Sequence, residues 1–111
     1  MTDPGLLRMA CLIGGDWVEA ADTLAVENPA SGETIAVVPR LQAAEVNRAL
    51  DSAAEAGADW AETAPAARAA FLSRWAALLA QHQDDLAIIM TAEQGKPLAE
   101  ARGEIADAAR S

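Results

Sequence analysis

The hydrophobic period of this chain changes once, near Gln42, and that change constrains the fold more than any other feature. Before it, short apolar runs are separated by turn residues, the pattern of hairpins. After it, apolar residues recur at 3.6-residue spacing, the pattern of amphipathic helices. The sequence therefore predicts an α+β segment: two short β-hairpins over residues 1–40, then a helical layer of about four helices over residues 41–111.

Local signals fill in this outline. Cys11-Leu12-Ile13 and Trp17-Val18 flank Gly14-Gly15-Asp16, and paired glycines supply the positive φ that a tight hairpin needs. Leu24 to Glu27 and Thr34 to Val38 form a second strand pair around Asn28-Pro29-Ala30-Ser31-Gly32-Glu33, with Pro39 ending the strand. Val46, Leu50, Ala53, Gly57 and Trp60 share one face of a first helix. A second helix is expected from Thr63 as N-cap, with Pro65 in its first turn and a stripe of Phe71, Leu72, Trp75, Leu78 and Leu79. Gln81-His82-Gln83 breaks it, and Asp84 and Asp85 suit the positive end of a third helix dipole. Gly95 ends that helix, and Pro97 opens a fourth with a stripe of Leu98, Ala101, Ile105 and Ala108. The fourth helix reaches Ser111 with neither glycine nor proline to stop it. Two readings of that end stand side by side: a helix cut in mid-pattern, and an ordinary frayed terminus.

Composition narrows the function classes. The net charge is -9, which opposes binding to phosphate backbones or anionic lipid. Cys11 is the only cysteine, so no internal disulfide can form, which favours a reducing compartment and a cytoplasmic protein. The first residues lack the basic and apolar regions of a signal peptide.

No set of residues looks catalytic. His82 is the lone histidine and reads as a solvated junction residue. Cys11 sits in an apolar strand with no neighbouring base to activate it, so it reads as inert packing. Gly95-Lys96 fails as a phosphate loop, because Met90 stands where a glycine is needed and Pro97 where Ser or Thr is needed. Trp17, Trp60 and Trp75 lie on apolar faces and are expected in the core. Glu93, Glu100 and Glu104 read as a solvated helix face. The expected catalytic and cofactor-binding sets are therefore empty.

Ordered motifs carry the reading further. Ile13-Gly14-Gly15-Asp16-Trp17, then Glu27-Asn28-Pro29-Ala30-Ser31-Gly32-Glu33 and Val37-Val38-Pro39, resemble the opening of the aldehyde dehydrogenase superfamily. So do Val46, Ala49, Ala53 and Trp60, and Arg68 followed by Leu72. The run Glu93-Gln94-Gly95-Lys96-Pro97-Leu98-Ala99-Glu100-Ala101, continuing through Gly103-Glu104-Ile105, looks most like the succinate-semialdehyde dehydrogenase branch.

This resemblance implies an α/β parent fold, in which the segment belongs to the NAD-binding domain and supports it. It implies NAD or NADP as cofactor in the full-length enzyme, with none bound by the segment alone. It also implies a small aldehyde substrate and a homo-oligomer. In that family a thiolate attacks the aldehyde, hydride passes to the nicotinamide, and activated water releases the acid. The cysteine, glutamate, asparagine and Gly-rich loop that do this lie beyond the segment, and Cys11 does not correspond to the nucleophile. A structural cation held by the main-chain carbonyls of Val26 and Glu27 and by the side chain of Glu93 is a further implication. Outside the family, the rival readings are a small acidic protein-interaction module and a non-functional truncated product.

Overall fold

A computed structural model describes residues 1–111. A single 3-10 turn, Pro4–Leu6, precedes four strands and four helices. The strands are β1 (Cys11–Ile13), β2 (Asp16–Val18), β3 (Thr23–Glu27) and β4 (Thr34–Pro39). The helices are α1 (Ala43–Glu62), α2 (Pro65–Gln81), α3 (Gln83–Gln94) and α4 (Leu98–Arg110).

The strands form two separate antiparallel pairs, β1 with β2 and β3 with β4. Gly14 and Gly15 both have positive φ, 58° and 85°, so the first turn has the handedness that matches strand twist. In the second pair Leu24 faces Val38 and Val26 faces Ala36, and the register slips at Val26/Glu27 beside the turn. The turn itself is closed locally. Asn28 Oδ1 accepts the Ala30 N–H at 2.9 Å, the Asn28 carbonyl accepts the Gly32 N–H at 2.7 Å, and Gly32 has φ 74°.

Helix boundaries follow backbone chemistry. At the start of α1 the Gln42 N–H donates to Glu45 Oε2 at 3.1 Å, which satisfies one orphan donor. Thr63 does not cap α2, contrary to the sequence expectation. It closes α1 instead, donating both its N–H and its hydroxyl to the Asp59 carbonyl. The N-cap of α2 is Ala64, with φ -55° and ψ 139°. Pro65 at the first helical position forces this, because a proline drives the residue before it into extended backbone. Arg68 then reaches back across the junction, placing Nη1 3.4 Å from the Trp60 and Ala61 carbonyls at the end of α1. His82 separates α2 from α3, and Gly95 with φ 82° stops α3.

Packing is concentrated where α3 meets α4. Ala87 and Ala101, one on each helix, are both 0% exposed, and small side chains there let the two backbones approach. Ile13 and Ala36 are the other buried apolar residues. The tryptophans do not join this core. Trp17, Trp60 and Trp75 are all exposed, Trp75 by 62%. Trp17 carries the Arg8 guanidinium 4.8 Å from its ring centroid, and Trp60 meets Phe71 at 5.8 Å between centroids. Cys11 is half-buried in β1. The helix stripes are real, yet Val46, Leu50, Phe71, Leu72 and Leu78 on them remain open to solvent. The radius of gyration is 16.5 Å, where a compact chain of this length has about 13 Å. No helix is long and apolar enough to cross a membrane.

Candidate functional site

Three places bring distant residues together. The first is the corner between α3 and α4. The second-hairpin turn lies against it: a Cβ added at Gly95 would stand 2.8 Å from Pro29 Cγ. Asn28, Ala30, Thr91 and Gly95 line an open groove of about 380 Å³ there, together with Ile88 and Leu98. Lys96 forms an ion pair with Glu104, which ties the loop to α4. Thus Lys96 serves a structural contact, and Glu104 is engaged on a face otherwise open to water.

Val26 and Glu27 close β3 just before the Asn28 turn, and Glu93 lies two residues before Gly95. Val26 is half-buried in β3 opposite Ala36, and Glu27 is exposed opposite Thr34. Glu93 is exposed in the last turn of α3 and borders a cavity of about 110 Å³. Every other residue lining that cavity is apolar, including Leu7, Ile35 and Ile89. A hard cation needs several oxygen donors. Glu93 is the single carboxylate lining that cavity.

The second place is Asp85. Its side chain accepts the Thr2 N–H at 2.7 Å on Oδ1 and the Asp3 N–H at 2.6 Å on Oδ2. Asp85 is 5% exposed, the one buried charged residue of the chain. The Thr2 N–H holds its pKa below the ordinary value of 3.8. Burial opposes that shift, while the Asp3 N–H, the Met1 amino group and His82 reinforce it. Thr2, Asp3, Gln81, His82, Asp84 and Asp85 together line a polar pocket of about 280 Å³. His82 is therefore half-buried beside a carboxylate rather than a solvated loop residue. Asp84 turns away, pairing with Arg102 Nε at 2.8 Å, and Gln83 Nε2 donates to the Arg102 carbonyl at 2.9 Å. Sequence reading assigned Asp84 and Asp85 the same part in a helix dipole. The structure separates them.

The third place is the apolar side of α2. Trp75 and Leu79 border two apolar grooves, one shared with Leu6 and Leu86 and the other with Leu72 and Ala108. Neither groove contains an acid-base pair or an activated nucleophile. Their chemistry is burial.

Known proteins give this arrangement its context. The aldehyde dehydrogenase family model matches residues 17–111. The chain belongs to the aldehyde dehydrogenase family. A glutarate-semialdehyde dehydrogenase of Pseudomonas putida is 47% identical over 111 residues, covering 98% of this chain and 23% of that protein. A succinate-semialdehyde dehydrogenase of Escherichia coli is 44% identical, again over 98% of this chain and 23% of its own length. The crystal structure of a succinate-semialdehyde dehydrogenase from Burkholderia pseudomallei superposes with a TM-score of 0.94 at 50% identity, covering 98% of this chain and 23% of that one. The chain thus spans about a quarter of the aldehyde dehydrogenases it matches. Its two hairpins and four helices have the arrangement those enzymes have over the same stretch.

Proposed function

We propose that this chain is the structural N-terminal portion of an NAD(P)-dependent aldehyde dehydrogenase whose substrate is a small aldehyde with an anionic tail. The observation that carries the reading is the joint match of sequence and backbone to semialdehyde dehydrogenases over 98% of the chain. Relatives at 44–48% identity are described as acting on glutarate semialdehyde, succinate semialdehyde and 3-sulfolactaldehyde. These aldehydes share a carboxylate or sulfonate a few atoms from the carbonyl. That shared chemistry supports the substrate class, with succinate semialdehyde going to succinate as the leading case.

The chain's own part is to support the NAD-binding domain. Its residues supply no nucleophile, general base or nucleotide loop to the reaction. Val46, Leu50, Leu72 and Trp75 are exposed on helix faces, and burying them against the rest of a subunit gives them a use. A nicotinamide cofactor is supported by neighbours solved with NADP, among them a glyceraldehyde-3-phosphate dehydrogenase of Bacillus halodurans. The reading takes the enzyme as a homo-oligomer in the cytoplasm, where a lone cysteine needs no disulfide partner.

The test is to assay the complete gene product with succinate and glutarate semialdehydes and either nicotinamide cofactor, beside residues 1–111 alone. Turnover by the complete product and none by the segment supports the reading. Turnover by the segment overturns its structural role.

A further inference from the structure

Residues 1–9 run along the outside of the helical layer with little regular structure beyond the Pro4–Leu6 turn. Two kinds of contact hold them. One is polar: both oxygens of Asp85 accept main-chain N–H groups from Thr2 and Asp3, contacts that span 83 and 82 residues of sequence. The other is apolar. Leu6 forms one wall of a groove with Trp75, Leu78, Leu79 and Leu86, and Leu7 with Met1 borders the cavity beside Ile35 and Ile88. A buried carboxylate is costly unless its lone pairs are met. Here the backbone of the N-terminal stretch is what meets them.

We propose that residues 1–9 form a releasable strap for which Asp85 is the clasp, opening as a local unit while α2 and α3 stay folded. Asp3 also organises the strap from within: its Oδ1 accepts the Gly5 N–H at 2.9 Å, and its carbonyl accepts the Leu6 N–H at 3.3 Å. The strap therefore moves as a preformed turn on one polar anchor. Its few backbone bonds and half-exposed leucines put it at the low-stability end of the fold, where local opening occurs. Opening removes the Leu6 wall of the groove beside Trp75 and exposes the α2 and α3 residues opposite it.

The clasp predicts a specific response in the complete gene product. Asp85→Asn keeps the shape but replaces one acceptor oxygen with an NH2 group that faces a donor. Limited digestion with thermolysin at neutral pH, which cuts before leucine, should then cut at Leu6 and Leu7 about tenfold faster or more, with cleavage inside α2 and α3 unchanged. Leu6→Ala, which leaves the clasp intact, should raise the cleavage rate at Leu7 as well. An unchanged rate at both leucines in Asp85→Asn would overturn the proposal. Should that variant lose its fold altogether, hydrogen exchange of the unsubstituted protein decides. Leu6 and Leu7 amides exchanging well ahead of α3 support a separately opening strap. Equal protection of the two sets contradicts it.

Discussion

Pro29 and Gly95 are 66 positions apart in sequence, and Pro29 Cγ occupies space 2.8 Å from where a β-carbon on Gly95 would be. The turn of the second hairpin is thereby keyed into the stop of α3. Gly95 meets two demands at once, a left-handed φ of 82° and no side chain toward Pro29.

Gly95→Ala should therefore destabilise the complete protein by more than a left-handed alanine alone, which costs roughly 1–3 kcal/mol. Pro29→Ala should remove the steric part. Chemical denaturation of the two single variants and the double variant checks this. The double variant should lose less stability than the sum of the singles. Strict additivity would mean that the contact does not constrain the corner.

Packing, rather than charge, should hold α3 to α4. Ala101 is fully buried, so Ala101→Leu should cost about 1–3 kcal/mol through overpacking. The Arg102–Asp84 pair spans the same helices, but its side chains are substantially exposed. Asp84→Ala should cost less than about 1 kcal/mol. Urea midpoints of both variants at one salt concentration give the comparison.

The clasp carries a pH signature. Asp85 has a pKa lowered in the folded state, so its contribution is present above the ordinary carboxylate value of 3.8 and disappears as pH falls through the lowered folded value. Protection of the Leu6 and Leu7 amides, corrected for intrinsic exchange, should be flat near neutrality and fall in acid before that of α3. Protection that declines between pH 5 and 8 would point to a different group.

Much of this fold was legible in the chain. Gly14-Gly15 marked a turn because only glycine takes two successive positive φ values without strain, and Gly95 marked a helix stop for the same reason. The apolar stripes gave the helices and their faces. They could not say what covers each face, so Trp60 and Trp75 were expected inside and are exposed within these 111 residues. Thr63 misled because its capping preference was weighed without the stronger effect of Pro65 on the residue before it. The Asp85 clasp left no local signal at all: its partners are main-chain N–H groups, which any residue except proline provides, at the far end of the sequence. The family came from ordered motifs, and the family model and matching structures bear it out.

Exposure of Trp75 sets up a discriminating substitution. On the structure of these residues by themselves, replacing a side chain 62% exposed should change stability by roughly 0.5 kcal/mol. Buried against the remainder of an aldehyde dehydrogenase subunit, Trp75→Ala should instead cost about 3–5 kcal/mol. Thermal unfolding of the complete gene product separates the two values.

If this segment serves an aldehyde dehydrogenase without taking part in its chemistry, activity measurements will show it. The complete gene product is mixed with succinate or glutarate semialdehyde and NAD or NADP, and reduced nicotinamide is followed by its absorbance. Reduction should depend on aldehyde and be unaffected by Cys11→Ser and His82→Gln. No reduction with either aldehyde and either cofactor, or loss of turnover in those two variants with the fold intact, would contradict it.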